Sequence, residues 1–289
     1  MMANLPTFNN ALVAYIDVLG FGNKLAAART ESGLGRLYDQ LRNVQNRFEM
    51  RPERDIKNVH RSQKKTVLAL SDAIVLAVDL KSPYARFEGE LDTVAQELLG
   101  IAYAQVTCVL NGVFLRGGIS MGPFWYGDRV LISPAMARAY GIESKVATYP
   151  VIAVNEPLYR KIKTHPENRY YLAEPRPVDL LKPYPQGNGA CRLYFLDYLR
   201  IGFDGAADWN SFADLKRYKE TSDHTRREKI MADSWRAHQR KFLRRHARVI
   251  KNALRRTRSG RVLKKYNWLR DYHNEFVHVL GLGWEDCTA

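Results

Sequence analysis

Cysteine, long apolar runs and, over one stretch, acidic residues are scarce, and each scarcity closes off a class of protein. Cysteine occurs three times in 289 residues, at 108, 191 and 287. So odd and widely spaced a set matches neither a zinc-ligand pattern nor a disulfide framework, and reduced, structural thiols are expected. No run approaches the roughly 18 apolar residues of a membrane span. The opening MMANLPTFNN lacks the basic flank and apolar stretch of a secretory signal, so a cytoplasmic chain with no membrane partner is expected. None of the seven histidines lies close in sequence to Asp17 or Asp72, the acids singled out below, which disfavours a hydrolase built on His-bound metal. Acid is nearly missing from one segment: between Arg226 and Lys265, sixteen Lys or Arg face only Glu228 and Asp233, and this stretch holds +14 of the net +15.

The composition, 46% hydrophobic and 11% aromatic, can bury one large core or a core with an appendage. Outside 226–265 the charges nearly cancel, and the chain reads as a body over 1–200 with a basic helical extension over 201–289. In the extension Met231, Trp235, Phe242, Val249 and Ala253 recur at spacings of four and seven, the stripe of an amphipathic helix with a basic outer face. That face can be plainly solvated, or can meet phosphate, nucleic acid, a partner or a membrane surface. Interleaved aromatics for base stacking are few there, and nucleic acid is not the expected partner. Further on, YNWLRDYHNEF sets Trp268, Leu269, Tyr272 and Phe276 on one helical face.

The body alternates. LVAYIDVLGFGNKL (12–25) opens as an apolar strand carrying Asp17, and SGLGRLYDQLRNVQNRFEM (32–50) follows as a helix with Leu34, Leu37, Leu41 and Val44 on one face. VLALSDAIVLAVDL (67–80) reads as a hairpin whose turn carries Asp72. FEGELDTVAQELLGIAYAQVTCVLNG (87–112) is helical and ends on Asn-Gly, strands return through VFLRGGISMGPFWYGDRVLI, a helix opens at Ser133 and Pro134, and YPVIAVN closes as a strand. The order is βαββαβ with additions: an α+β, ferredoxin-like, palm-type core with an antiparallel central sheet. In that topology the end of the first strand neighbours the turn of the central hairpin, so Asp17 and Asp72 can face one ligand.

Two carboxylates brought together repel, and a divalent cation resolves the repulsion most simply. All-oxygen donors favour Mg2+ or Mn2+, which keep positions for water or substrate phosphates. Gly20 and Gly22 allow backbone N–H groups to approach a ligand closely, and the following helix offers its N-terminus to a triphosphate. The structural alternative is that Asp17 caps a helix and Asp72 serves a turn.

AYIDVLGF, LSDAIV and RGGISMGPFWYGDRVLISPAMARAYGIES, in that order and spacing, resemble the catalytic domain of class III nucleotidyl cyclases over residues 10–155. The branch they resemble most is the bacterial pyrimidine (uridylate and cytidylate) cyclases of the Pycsar antiphage system, as does the terminal KKYNWLRDYHNEF. The resemblance implies conversion of a nucleoside triphosphate to a 3′,5′-cyclic monophosphate and pyrophosphate, with two divalent cations held by Asp17, Asp72 and the backbone carbonyl of Val18. It places Gly20, Phe21 and Gly22 at the phosphates, and it implies a homodimer whose active sites are shared head to tail. Arg138 is the candidate for the transferring phosphoryl charge, with a solvated surface charge as the alternative. Arg116 can serve a phosphate or a neighbouring carboxylate.

The chain also departs from the family. The Asn that usually precedes the catalytic Arg by four residues is Pro134 if Arg138 is that Arg; in the other alignment the Arg itself becomes Ala137. The adenine-reading Lys is Leu68, which argues against ATP even if Leu68 is only strand packing. The partner position of that Lys falls at Gly127 or Tyr126, and Tyr126 can stack on or bond to a pyrimidine. UTP, giving cUMP, is the expected substrate, with CTP left open; a purine cyclase or a nucleic-acid-binding protein is the alternative. No Gly-Gly-Asp-Glu-Phe of a diguanylate cyclase occurs.

Overall fold

The computed structural model describes residues 7–49, 63–128, 130–145, 147–172, 176–184 and 193–289. Cys191 lies outside them, whereas Cys108 and Cys287 are buried free thiols. The chain divides into two compact units, Met1–Cys108 with Val113–Asp197, and Val109–Gly112 with Tyr198–Ala289.

In the first unit, β1 (Thr7–Val18) leads through α1 (Phe21–Ala27) and α2 (Glu31–Phe48) to a hairpin of β2 (Lys65–Leu70) and β3 (Ala73–Asp79). Next come α3 (Pro83–Glu88), α4 (Glu90–Leu110), β4 (Leu115–Gly127), β5 (Val130–Ile132) and α5 (Pro134–Lys145). β6 (Ile152–Asn155), α6 (Glu156–Lys163), β7 (Leu181–Pro183) and β8 (Leu193–Leu196) complete the unit. The strands order as β2-β3-β1-β4-β6-β8-β7, with β5 on β4. Its first four members pair antiparallel throughout, which is the expected βαββαβ core. β6 extends the sheet parallel to β4.

β1 is central and covered on both faces, so its apolar run is continuous rather than alternating: Ala11, Leu12, Val13, Ala14 and Ile16 are all buried. On one face Ala11, Val13, Val75 and Ala77 pack with Phe124 and with Ala135 of α5. On the other face lies α4: Lys65, in register with Val78 and through it with Leu12, reaches Glu97 at 2.9 Å. Gly118 sets how closely α5 approaches, because a Cβ there would overlap the Ala139 carbonyl oxygen, while a Cβ at Gly117 would press on the Tyr15 carbonyl oxygen of β1. Ser133 starts α5 as expected, its Oγ accepting from the Met136 N–H at 3.0 Å and donating to the Pro123 carbonyl at 2.7 Å.

Two expectations about helices need correction. The buried residues of α2 are Gly33, Val44 and Phe48, whereas Leu37 and Leu41 are half-buried and Leu34 is 48% exposed. α4 is long and apolar enough, by length and composition alone, to cross a membrane, contrary to the reading that no run came close; 61% of its apolar window is buried inside this fold. That burial is the ordinary reason for a core helix to be apolar.

The second unit is helical: α7 (Tyr198–Gly205), α8 (Phe212–Glu220), α9 (His224–Arg256) and α10 (Gly260–Val279). α9 packs on α7, α8 and α10. Its buried stripe is Ser234, Phe242, Leu243, His246, Ala247 and Ile250, so of the expected apolar set only Phe242 is fully buried. Met231, Trp235, Val249 and Ala253 are half-buried. The displacement comes from a buried polar chain that apolar periodicity cannot register. His246 Nε2 meets Tyr198 Oη at 3.1 Å, His246 Nδ1 meets His273 Nδ1 at 3.0 Å, and His273 Nε2 meets the Cys287 carbonyl at 2.8 Å. On α10, Leu269, Tyr272 and Phe276 are buried as the spacing required, with Trp268 stacked on Tyr272 at 5.4 Å.

Candidate active site

Asp17 is the penultimate residue of β1, in register with Ala73 of β3 on one side and Arg116 of β4 on the other. The β2–β3 turn is two residues, Ser71 and Asp72, and Ser71 takes the left-handed conformation (φ 57°) that so tight a reversal needs. The Val18 N–H donates to the Asp72 carbonyl at 3.2 Å, which ties the turn to the end of β1. Asp17 and Asp72 therefore meet, with their carboxyl groups within hydrogen-bond reach.

Electrostatics show that they meet without compensation. Burial, then the charge of Asp72, then that of Glu143, push the Asp17 carboxyl up to about 6, against the pull of Arg116. Arg116 stands 3.6 Å from Asp17 Oδ2 but is ion-paired more closely with Glu143 of α5. Glu143 is 4% exposed and Arg116 20%, and the Arg116 Nε is buried without a hydrogen-bond partner. Two strand positions before Asp17, the Tyr15 hydroxyl is pushed up to about 12 by burial, Asp17 and Glu143, and its ring meets Tyr140 edge-on at 5.2 Å. Two carboxylates, Asp17 and Glu143, thus share one guanidinium, and Asp72 adds its charge beside Asp17.

Of the remaining expected residues, Gly20 adopts φ 77° at the start of α1, Phe21 is buried, and Gly22 is exposed in the first turn. Leu68, in register with Val75 and through it with Tyr15, lies on the Asp17 face of the sheet. Leu68 and Tyr126 both border the apolar cluster on that face. Within one chain Arg138 is not brought to the acids. Its Nε donates to Ser120 Oγ at 3.2 Å and its Nη2 to the Met121 carbonyl at 2.7 Å. Ser120 is in register with Val13, four residues along β1 from Asp17, and Gly122 leaves the space that the guanidinium occupies.

Sequence reasoning missed Glu143 and Tyr15. A signal existed for Glu143, which falls on the same α5 stripe as Ala135, Ala139 and Ile142. A carboxylate on an apolar stripe needs a partner, and Arg116 is that partner.

Among the described residues no group of three or more His, Cys, Asp or Glu could by itself hold a metal ion. The donor set at the acids is two carboxylates with the Val18 carbonyl adjacent in sequence. It fits a hard cation that keeps water or phosphate in its other positions, and the raised Asp17 carboxyl shows the positive charge that is wanting.

No protein-family model and no curated protein matches the chain. Among solved structures the chain is similar to the dimeric guanylyl cyclase domain of the RhoGC fusion protein from the aquatic fungus Blastocladiella emersonii, with 13% identity, a TM-score of 0.41, and 68% of this chain and 98% of that one covered. It is also similar to the guanylate cyclase domain of RhGC from Catenaria anguillulae in complex with GTP (16% identity, TM-score 0.39, 66% and 97% covered). The adenylate/guanylate cyclase/hydrolase from Silicibacter pomeroyi is a third (13% identity, TM-score 0.37, 67% and 98% covered). These neighbours are adenylyl or guanylyl cyclase domains, and the likeness is one of fold.

Proposed function

We propose that the chain is a nucleotidyl cyclase that converts a pyrimidine nucleoside triphosphate, UTP in the first instance, to its 3′,5′-cyclic monophosphate and pyrophosphate, as a cytoplasmic second-messenger signal in antiphage defence. The observation that carries the cyclase reading is the contact of Asp17 with Asp72 at the end of the two central strands, where the Asp17 carboxyl is pushed up to about 6. Such a pair calls for cations, and the residues to hold them are Asp17, Asp72 and the Val18 carbonyl. When bound, two divalent cations supply activation of the ribose 3′-hydroxyl and neutralisation of the departing pyrophosphate.

The chain's own groups do the rest. The backbone of Gly20, Phe21 and Gly22 receives phosphate oxygens, and Arg116, restrained by Glu143, keeps a positive edge beside Asp17 without saturating it. Leu68 and Tyr126 flank the base, and the apolar side chain at 68 offers no donor to a purine. Arg138 reaches a transferring phosphoryl group from a second copy of the chain, since its own chain holds it away from the acids. The apolar surface beside it supports such pairing: Tyr140 is 48% exposed, Val130 56% and Ile132 59%.

The test is incubation of the protein with each of the four ribonucleoside triphosphates and Mn2+, with the product identified by mass. A cyclic pyrimidine monophosphate is expected. A cyclic purine product would replace the specificity and keep the reaction class, and no cyclic product from any of the four would end the cyclase reading.

A further inference from the structure

The C-terminal unit carries a cleft that the cyclase chemistry does not use. It has a volume of about 560 Å³, with Asn210 on one wall and Arg240, Lys241, Arg244, Arg245 and Arg248 of α9 on the other. The spacings are helical. Residues 240, 244 and 248 form one row and 241 and 245 the next, so cations stand directly above one another, where like charges repel.

One carboxylate answers them. Asp286 bonds Arg240, 2.6 Å from Nη2, and pairs more closely still with Arg244, fixing two guanidinium groups at the rim. Among the described residues Arg245 reaches only the neutral Asn111 Oδ1, at 3.4 Å. Lys241 and Arg248 have no ion-pair partner among the described residues. Nor can neighbours on the chain help, because no Asp or Glu occurs from Ser234 to Arg270. The positive surplus is built into a concave surface, and its neutralising charge has to come from outside.

Size and lining decide what kind of anion this is. A cleft of this volume is in the range of small-ligand sites, roughly 300–1,000 Å³. No aromatic ring lines it, so it offers no platform for the stacked bases on which single-stranded nucleic acid depends. Guanidinium groups in a fixed fork match phosphate oxygens two at a time. We propose that this cleft is a binding site for a compact oligophosphate group, a diphosphate or triphosphate, recognised by its charge rather than by any base attached to it. The site is independent of the cyclase reading, since every residue lining it belongs to the C-terminal unit.

The experiment is calorimetric titration of the full chain with inorganic pyrophosphate and with tripolyphosphate, without divalent cations and at physiological salt. One saturable site per chain is expected. The double variant Lys241→Ala/Arg248→Ala changes two exposed side chains without internal ion pairs, so it should fold normally and bind about tenfold more weakly or not at all. Asp17→Ala should bind as the wild type does, because its site is elsewhere. Absence of saturable binding would overturn the proposal, as would binding indifferent to the double variant or lost in Asp17→Ala. Duplex RNA bound more tightly than tripolyphosphate, and released by the double variant, would overturn it in favour of a nucleic-acid surface.

Discussion

Replacing Glu143 by Gln should cost the fold about 3 kcal/mol and should also weaken divalent-cation binding at Asp17 and Asp72. The stability figure follows from the burial of the pair. Glu143 is 4% exposed and Arg116 20%, and breaking a buried ion pair by removing one partner typically costs about 3–5 kcal/mol. The lower end applies because Arg116 keeps Asp17, 3.6 Å away, as a second partner. That same proximity produces the second effect. Freed from Glu143, the guanidinium closes on Asp17 and supplies the positive charge that a cation would otherwise bring. At an effective dielectric near 20 a unit charge at contact is worth a few kcal/mol, so a drop in Mn2+ affinity of tenfold or more is the scale to expect. Urea unfolding reads the first effect, and Mn2+ titration followed by electron paramagnetic resonance reads the second without reference to turnover. The double variant Arg116→Met/Glu143→Gln leaves no buried guanidinium unpaired and should recover part of the stability, and with Arg116 gone from beside Asp17 it should bind Mn2+ more tightly than the single variant. If Glu143→Gln unfolds like the wild type and binds Mn2+ unchanged, the picture of Glu143 holding Arg116 off Asp17 is wrong.

Asp17→Ala and Asp72→Ala should each abolish cyclic product while leaving the thermal midpoint unchanged or slightly higher, since each removes a like-charge neighbour; near-normal turnover in either would exclude two-cation catalysis at this pair. Mixing Asp17→Ala chains with Arg138→Ala chains should restore activity through one intact site per mixed dimer, and no recovery with mixed dimers shown to form would remove Arg138 from a shared site. Gly118→Ala should fail to fold or lose several kcal/mol, because its Cβ would overlap the Ala139 carbonyl, and a variant of wild-type midpoint would refute that close approach. Acid should destabilise the C-terminal unit. Burial lowers His273 from 6.5 to about 4, and lowers His246 as well, so both are neutral when folded. The stability they contribute is complete above 6.5 and is lost as pH falls toward 4, by about 3 kcal/mol for His273 alone. Their ring resonances should keep neutral shifts down to unfolding, and titration near 6.5 in the folded state would contradict this.

The core topology was legible because two independent signals agreed. The run containing Ala73 to Asp79 is apolar at every position but the last and is buried throughout, as a central strand must be, and the two-residue Ser71-Asp72 interval left room only for a hairpin. Once β1 and β3 were adjacent, the meeting of Asp17 with Asp72 followed from pleat and register. Glu143 escaped because its importance lies in α5 crossing β4 at Gly118, a contact between elements that no local pattern encodes. The spacing of Leu34, Leu37, Leu41 and Val44 in α2 gives a face but not how deeply each residue is covered: Val44 is buried, Leu37 and Leu41 are half-buried and Leu34 is exposed.

The C-terminal unit shows the converse limit. Its basic face could be counted directly from the sequence, yet its core could not, because the residues that define the buried stripe of α9 include a histidine, and a scale that scores His as polar moves the stripe aside. His246 and His273 are buried with Tyr198 and the Cys287 carbonyl in one continuous hydrogen-bonded chain, which satisfies the ring nitrogens and makes their burial tolerable. The same accounting gives opposite answers at the two polar clusters of the protein. In the His246–His273 chain every ring nitrogen finds a partner inside the fold, so the cluster is structural. At Asp17 and Asp72 acceptors outnumber donors, the carboxyl resists ionising, and the deficit can be made good only by something the chain does not contain. An unbalanced cluster at a strand end, beside a glycine turn, is where function is to be sought.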